Sequence, residues 1–555
     1  MPGCLSHSEV GLAMNDSSFD DGAPLEDGWA EEGPEADCGE QLPPPPLHVV
    51  GHGHPDDLGP AGYDPEMEMR RAWRALQRTG RDGVVPGHVT HRLAAMLSAW
   101  WWPLRHGDDV WAMPRRSHDR PGGGILRPFD TPELRQRATA RFAERCADEP
   151  IPSASTLTTA LTRFAGTATT LAAPPQLRWG RDADGALWWD PGRPDGTCVR
   201  VTKEGWSVED HPGCWFRRSD LIRQLPLPEA GGDLDDLWRY VRVDPADRPL
   251  VVAWMLAQTQ PEHEAAAGLL YITGPAGGGK TTAARCLTRA CGDMPEPRSL
   301  ADEDRANRNM FVASAAGWTV WLDNLSIITA EQSDTLCTMV TGRTETYRRL
   351  HTDTATVTLD VGRPVLATAV EVPVLRPDLI TRMIPVEVDP GETGRIAEDT
   401  LLASFTAAQP RIFGALLDLL AATMAAPEPP VELPRLAVLG RMAAQADTIR
   451  GTDTLARLRH RQTLLLADTV ADDPFFTAVR TSIRDRFAGT ATELLGVLDP
   501  HGDMARTWRS QWPSPKAVSS RLKRHEAALR QAGWTVAHSD NGHKGRTWEL
   551  TAPPA

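Results

Sequence analysis

The sequence predicts an α/β protein whose core is a parallel sheet with helices on both faces. Three segments carry that prediction. A buried-strand pattern at 268–273 runs into the glycine-rich segment 274–282, and a helical pattern follows it. A second apolar strand pattern, 318–322, ends at Asp323, and a third lies at 364–369. Strands that alternate with helical segments are typical of parallel sheets, because parallel neighbours need long crossover connections.

The composition is that of a multidomain globular protein. The chain has 555 residues, of which 41% are apolar and 24% charged, and this excludes a mostly disordered chain, a fibrous repeat or a small disulfide scaffold. The longest apolar stretch, 413–426, is too short to span a membrane and contains Asp418. The N-terminus lacks a basic region followed by an apolar core. We therefore expect a cytoplasmic protein without a membrane partner.

The negative charge of the chain is concentrated at its N-terminus. The net charge is −15, yet residues 1–69 hold 16 Asp and Glu and no Lys or Arg, so the rest of the chain carries about +1. We interpret residues 1–65 as an acidic disordered tail. Such a tail could solubilise the protein or compete with DNA for a basic surface.

Cysteine and histidine patterns do not indicate a metal site. None of the eight cysteines forms a CxxC pair, so we expect reduced, mostly buried thiols. The two histidines of GHGHP at 51–55 lack the further ligands that a metal site needs.

Two regions precede the core. Residues 66–173 are interpreted as an N-terminal helical region, because 67–79 and 91–101 have helical spacing and Thr131-Pro132-Glu133 is typical of a helix start. The run Trp100-Trp101-Trp102 could pack beside a helix or stack on bases. Residues 174–230 contain short β-type runs separated by Asp, Gly and Pro, which predicts a small β-rich module.

The glycine-rich segment fits the pattern GxxxxGK[ST] between a strand and a helix, which is the context that a P-loop requires. Glycines let backbone N–H groups point at phosphates, and the helix N-terminus adds partial positive charge. Lys280, one of only five lysines, is expected to reach the β- and γ-phosphates, and Thr281 to ligate Mg²⁺. ATP and Mg²⁺ are thus the predicted ligands. The predicted binding residues are Gly274, Pro275, Ala276, Gly277, Gly278, Gly279, Lys280, Thr281 and Thr282.

A P-loop needs an acidic partner at the end of a neighbouring strand. Asp323, 43 residues after Lys280, is placed to hold Mg²⁺ through water. Asn324 follows at a position where many such ATPases have Glu or Asp. Asparagine can orient water but cannot accept its proton, so the general base stays open, with Glu331 and Asp334 as weak candidates.

The order of these motifs resembles superfamily 3 helicases of the AAA+ class, and within them the poxvirus-type primase-helicases. It is similar above all to the helicase-like ATPases of actinobacterial phages and integrated elements. The resemblance covers about 174–555 and implies a P-loop AAA+ ATPase core at 231–400 and a helical lid at 401–483. The matching residues are Asp323-Asn324-Leu325-Ser326, Thr341-Gly342, Arg349-Leu350, Thr352-Asp353 and 376–382.

The resemblance also implies roles for single residues. Thr368 falls at the sensor 1 position, where a hydroxyl could orient the attacking water. Arg382 falls where an arginine finger would reach a neighbouring subunit, with Arg376 as the alternative and a surface salt bridge as the non-functional one. Arg343, Arg348 and Arg349 match a DNA-contacting hairpin in a central pore, or a solvated face. A homo-oligomeric ring, in the family a hexamer, is implied.

The C-terminal segment 484–555 is predicted to be a winged helix. Residues 504–555 carry a net charge of +6, a helix is expected at 515–531, and two strands, 534–538 and 546–550, follow it. The recognition helix would present Lys516, Arg521, Lys523 and Arg524 to DNA, and the wing Lys544 and Arg546. A protein-docking winged helix is the alternative.

These features together predict an ATP-driven DNA motor in the replication of a phage, plasmid or integrated element. An ATP-switched DNA-binding initiator or regulator is the alternative, and Asn324 favours it slightly. A small-molecule kinase is poorly supported, because such kinases need no basic C-terminal module. No acidic primase motif stands out in 66–173, so primer synthesis would fall to a separate replication partner.

Overall fold

The computed structural model describes residues 87–553, all within one compact unit, 49–555. The description has gaps at 115–124, 130, 146–150, 211, 262–266, 301–309, 313, 326–327, 342–343, 349–355, 371–374, 390–396, 428–432, 473, 499–513, 532 and 541–545. The predicted acidic tail, the helical pattern at 67–79 and the GHGHP segment lie outside the described residues.

The N-terminal region is a mixed α/β unit, so the prediction of a helical region at 66–173 is wrong in part. A helix at 91–101 was expected, and α1 runs to Trp100. The strand that follows pairs antiparallel with the next strand from Trp101 opposite Pro114 to His106 opposite Asp109. Its elements are α1 (Gly87–Trp100), β1 (Trp101–His106), β2 (Asp109–Pro114), β3 (Ile125–Pro128), α2 (Pro132–Arg145), α3 (Ala154–Gly166) and β4 (Thr169–Thr170).

The reason for this difference is the aromatic run. Trp101 is buried, and the guanidinium of Arg141 lies over the rings of Trp100 and Trp101. Leu104 and Leu126, farther along the sheet, are fully buried. Large apolar side chains that alternate with partly exposed ones suit a pleated surface better than a helix. The tryptophan run is therefore used in packing.

The β-rich module forms a four-stranded antiparallel sheet in the order β5-β6-β7-β8. A short strand, β9, leaves this module and pairs with β3 of the N-terminal sheet, so the expected boundary at residue 173 is crossed by a continuous sheet. The strands are β5 (Trp179–Arg181), β6 (Leu187–Trp189), β7 (Cys198–Thr202), β8 (Gly205–Glu209) and β9 (Phe216–Arg217).

A parallel five-stranded sheet in the order β11-β12-β15-β10-β16 forms the core, which confirms the α/β class and the parallel sheet. Strand β10, which lies between β15 and β16, is buried continuously from Leu269 to Ile272, as expected for a sheet covered on both faces. An antiparallel pair, β13 with β14, lies outside this sheet. The strands are β10 (Leu269–Thr273), β11 (Pro297–Arg298), β12 (Val320–Leu325), β13 (Thr344–Arg348), β14 (Thr356–Asp360), β15 (Val365–Ala369) and β16 (Met383–Glu387), and the helices are α4 (Arg248–Ala257), α5 (Lys280–Ala290), α6 (Ala330–Val340) and α7 (Pro377–Ile380).

Four helices follow the core, and a small α/β unit ends the chain. The last unit has two helices and a three-stranded antiparallel sheet in the order β17-β19-β18, of which the sequence reasoning missed β17. The helices are α8 (Glu398–Ala425), α9 (Ala437–Arg450), α10 (Thr454–Asp472), α11 (Pro474–Ser482), α12 (Ala491–Leu498) and α13 (Pro515–Gln531), and the strands are β17 (Arg486–Thr490), β18 (Thr535–Asp540) and β19 (Arg546–Thr551).

Apolar packing joins these parts. One buried cluster runs from the β-rich module through the core sheet to the C-terminal unit. Trp189 of β6 and Phe413 of α8 meet with ring centroids 4.5 Å apart, which fixes the module against the long helix. Five cysteines, Cys198, Cys214, Cys286, Cys291 and Cys337, are free and buried, as the sequence predicts for them. None of the helices described here has the length and apolar character to cross a membrane.

Candidate functional site

The glycine-rich segment follows strand β10 and turns into α5, and two glycines explain why the backbone can make this turn. Gly274 has φ +146°, and a Cβ there would meet the Val388 carbonyl oxygen at 3.1 Å. Gly279 has φ +85° at the residue before the helix, a conformation that L side chains rarely adopt. The loop therefore brings the N-terminus of α5 to the carboxyl end of the sheet.

Lys280 opens α5 and folds back over this loop. Its Nζ donates to the carbonyl oxygens of Gly274 and Pro275, each at 2.8 Å, and the residue is only 8% exposed. Burial lowers the pKa of Lys280, and the charge of Asp323 partly opposes that shift. The ammonium group thus lies inside the loop, where it can meet an anion held by the loop's N–H groups.

Thr281 of α5 and Asp323 of β12 meet at the end of the sheet, although β15 lies between β12 and β10, the strand that leads into the loop. The hydroxyl of Thr281 lies 3.2 Å from Oδ1 and 3.4 Å from Oδ2 of Asp323. A hydroxyl and a carboxylate are the hard oxygen donors that Mg²⁺ prefers when phosphates and waters supply the remaining ligands. These two residues fit the predicted ion. Elsewhere in the part of the chain that the structure describes, no cluster of three or more His, Cys, Asp or Glu could hold a metal.

The end of β12 contains an irregularity that the sequence did not indicate. Leu322 pairs with Ala367 and Leu325 with Ala369, so Asp323 and Asn324 together face the single residue Thr368. Thr368 accepts a hydrogen bond from the Asn324 N–H at 2.9 Å and donates one to Asp323 Oδ1 at 2.6 Å. The expected sensor 1 residue therefore holds the acidic residue directly, and its only proton is already committed.

Asn324 itself has φ +58° and an exposed side chain. The weak candidates for a general base lie on α6: Glu331 is exposed, and Asp334 forms an ion pair with Arg376. The geometry thus gives no carboxylate at the position next to Asp323.

Arg382, the predicted arginine finger, forms an ion pair within its own chain. Its side chain is only 8% exposed, and Nη1 lies 2.7 Å from both the carboxylate and the carbonyl oxygen of Asp378. Arg435 also donates to this carboxylate, at 2.8 Å. Arg382 is therefore buried and paired within its own subunit, which matches the salt-bridge alternative. Arg376 is more accessible, with 30% of its side chain exposed.

The predicted DNA-binding residues fall into three groups. Arg343, Arg349 and Lys544 lie outside the described residues. Arg348 is the last residue of β13, within the predicted hairpin segment, and Arg524 lies in α13. The structure describes neither of these two side chains.

The remaining four can be placed. Lys516 and Lys523 are exposed on α13, where Ser520 lies between them on the same face. The guanidinium of Arg521 instead lies 5.9 Å from the ring centroid of Phe475, so Arg521 does not belong to that exposed row. Arg546 lies over the ring of Trp548.

A buried charge cluster beside the loop was missed by the sequence reasoning. Asp247 is fully buried and accepts hydrogen bonds from Arg457 Nε at 2.7 Å and from the Glu387 N–H at 3.3 Å, while Arg461 Nε lies 3.4 Å away. Burial raises the pKa of Asp247, and the two arginines oppose that shift. Because Glu387 pairs with Thr273, this cluster ties α10 to the strand beside the glycine-rich loop. In the sequence, Asp247 looks like an ordinary residue of a helix start, so no local signal could have found it.

The fold and the site define an α/β protein in which a strand, a glycine-rich loop and a helix face an acidic residue two strands away. Residues 234–472 match the family model described as actinomycete integrative conjugative element replication protein, and residues 475–555 match the model of the C-terminal domain of the same RepA proteins. Together the two matches cover more than half of the chain, so this part of the chain belongs to that replication-protein family. The finer resemblance to superfamily 3 helicases stays a prediction.

Solved structures give weaker likenesses. An apo structure of the NrS-1 C-terminal region has 12% identity and a TM-score of 0.33, covering 85% of this chain and 100% of that one. A ligand-bound JCV helicase has 14% identity and a TM-score of 0.19, covering 40% and 66%. At these TM-scores neither likeness establishes a shared arrangement. No curated protein matches the chain significantly.

Proposed function

We propose that this replication protein is an ATP-driven DNA motor that unwinds or translocates on DNA when an integrated element replicates. The observation that carries the proposal is the meeting of Lys280, Thr281 and Asp323 at the carboxyl end of the sheet. A loop of N–H groups at a helix N-terminus, a lysine and a hydroxyl–carboxylate pair suit a nucleoside triphosphate with Mg²⁺.

Within this proposal, each residue of the site has a task. The loop from Gly274 to Gly279 would cradle the phosphates, and the ammonium of Lys280 would exchange its two carbonyl contacts for phosphate oxygens. Thr281 and Asp323 would hold Mg²⁺, which when bound offsets negative charge on the phosphates. Thr368 would keep Asp323 in place.

The DNA contacts are proposed from the positive charge of the C-terminal segment and from the resemblance to superfamily 3 helicases. Residues 231–400 would form the ATPase core, 401–483 its helical lid and 484–555 a winged helix, with Lys516 and Lys523 of α13 facing DNA phosphates. The antiparallel pair of β13 and β14 would place Arg348 near a DNA strand in the central pore of a ring. In the implied family this ring is a hexamer. Arg376, rather than Arg382, would act on the neighbouring subunit's site.

A second candidate function is an ATP-switched DNA-binding initiator with little turnover. The observation that favours it is Asn324, which offers no carboxylate beside Asp323 to accept a proton from water. Slow hydrolysis would suit a protein that assembles on DNA in one nucleotide state and leaves in the other.

ATP hydrolysis measured with and without single-stranded DNA tests the proposal. We expect turnover that DNA stimulates and that Lys280→Ala abolishes. Lys203→Ala is the matched control, because this lysine is 69% exposed on a turn of the β-rich module. ATP binding without turnover on any DNA would overturn the motor and favour the switch. If Lys280→Ala still binds ATP as well as Lys203→Ala does, the proposed ATP site itself is wrong.

A further inference from the structure

We propose that Asn324 serves the ATP site through its backbone, as a positioning residue that works with Thr368 to aim the carboxylate of Asp323. This inference rests on the proposed nucleotide site and deepens it. It assigns no catalytic task to the Asn324 side chain, although the position is one where many related sites carry an acidic residue.

The first step is the geometry of the strand. Two residues of β12, Asp323 and Asn324, stand opposite one residue of β15, Thr368. This is a β-bulge, and a bulge bends the strand and redirects the side chain at that point. At this bulge, the Asp323 carboxylate faces the hydroxyl of Thr281 at 3.2 Å.

The second step is the hydrogen bonding that holds the bulge. The extra residue leaves a backbone N–H without its ladder partner, and here the side chain of Thr368 replaces that partner at 2.9 Å. The same hydroxyl donates its one proton to Asp323 Oδ1 at 2.6 Å. Thr368 is 1% exposed, so bulk water does not compete for these two hydrogen bonds. One buried hydroxyl thus fixes both residues of the bulge.

The third step concerns the residue type at 324. The backbone there has φ +58°, in the left-handed region that glycine, asparagine and aspartate tolerate and β-branched residues avoid. The side chain of Asn324 is exposed. Asparagine therefore suits this position for its backbone, and the requirement at 324 is a left-handed conformation with an N–H that donates to Thr368.

Matched pairs of variants test this inference. Asn324→Gly keeps the conformation without the side chain, and Asn324→Val keeps bulk but resists the conformation. Thr368→Ser keeps the hydroxyl, and Thr368→Val removes it. The readouts are the Mg²⁺ concentration for half-maximal binding of a fluorescent ATP analogue, the kcat of ATP hydrolysis, and hydrogen exchange of the peptide that contains residues 322–325 in the nucleotide-free protein.

We expect Asn324→Gly and Thr368→Ser to stay within about threefold of the wild type in Mg²⁺ requirement and kcat. Asn324→Val and Thr368→Val should raise the Mg²⁺ requirement by about tenfold or more, since a hydrogen bond to a charged group is lost or misaligned. Thr368→Val should also speed exchange at 322–325, while its circular dichroism stays that of the wild type.

Two results would overturn the inference. One is an Asn324→Gly protein that binds Mg²⁺ and the analogue normally but has lost turnover, because the side chain would then take part in the chemistry. The other is a folded Thr368→Val protein with unchanged exchange and Mg²⁺ requirement. A wild type that binds the analogue without hydrolysing it would contradict the motor and leave the binding and exchange readouts to decide the positioning role.

Discussion

Arg178 of the β-rich module and Asp293 of the core form an ion pair in which both side chains are buried, 0% and 3% exposed, with Nη2 and Oδ1 3.0 Å apart. The other oxygen of Asp293 accepts the N–H of Thr319 at 2.9 Å. Asp293 follows the helix that begins at Lys280, and Thr319 precedes the strand that contains Asp323. One carboxylate therefore joins the module to both elements that build the candidate site.

Removing that carboxylate should destabilise the protein strongly. In Asp293→Ala, Arg178 would be left buried and unpaired, and we expect a loss of about 3–5 kcal/mol in the free energy of unfolding. Denaturant unfolding followed by fluorescence of the buried tryptophans would measure it. Glu204→Ala, at an exposed ion pair with Lys203, should cost at most about 1 kcal/mol. Equal losses in the two variants would contradict a structural role for the buried pair.

The parts of the site that are close in sequence could be predicted from it. The positions of Lys280 and Thr281 follow from one motif, and Asp323 follows from a strand pattern that ends in an acid. Helix α13 also begins and ends where Pro515 and Gly533 indicate, because these residues impose local backbone limits.

The parts that depend on distant contacts could not be predicted. The bulge at Asp323 requires Thr368 on another strand, and the carboxylate that pairs with Arg382 also accepts from Arg435, 57 positions away in the chain. Asp247 meets Arg457 across 210 positions of the chain. Likewise, strand β1 inside the predicted helical region depends on its pairing with β2 and on the burial of Trp101. Local sequence patterns do not indicate such long-range contacts.

Arg376 and Arg382 should differ in how their loss can be complemented. Arg382→Ala removes a buried partner of Asp378 and should lower stability in every subunit that carries it. Arg376 lies in a partly exposed pair with Asp334, which is 65% exposed and can release it to a neighbouring subunit. We expect Arg376→Ala to fold normally but to lose DNA-stimulated ATP hydrolysis.

Mixing experiments separate the two roles. Arg376→Ala mixed with Lys280→Ala should regain part of the activity, since some interfaces would then combine an intact loop with an intact arginine. If the mixture stays as inactive as each variant alone, Arg376 does not act across an interface. The control is Lys203→Ala mixed with Lys280→Ala, in which activity should only fall with dilution.

ATP binding should weaken at alkaline pH before an ordinary lysine would lose its proton. Burial lowers the pKa of Lys280 from the usual 10.5, and only the protonated ammonium attracts phosphates. In the free protein, the folded state therefore binds this proton less tightly than the unfolded state. The resulting cost to stability is present below the folded pKa and is relieved as the pH rises through it.

Titration of a fluorescent ATP analogue at a series of alkaline pH values would measure this. We expect the Kd of the wild type and of Lys203→Ala to rise together below pH 10.5, and the Kd of Lys280→Met to be high and independent of pH. A wild-type Kd that stays constant up to that pH would contradict a lowered pKa at Lys280.

The exposed row on α13 allows a test of DNA contact that does not involve the ATP site. Lys516 and Lys523 lie seven residues apart on the exposed side, while Val518, Leu522 and Leu529 pack inward. Each phosphate contact contributes about 0.9 to the slope of log affinity against log salt concentration. Lys516→Ala and Lys523→Ala should each lower that slope by about this amount and weaken binding to every duplex similarly, because phosphates carry no sequence information. Arg521→Ala should leave the slope nearly unchanged, since its guanidinium lies beside Phe475. Unchanged slopes in both lysine variants, with normal folding, would mean that α13 does not contact phosphates, and the C-terminal unit would then be a site for docking another protein.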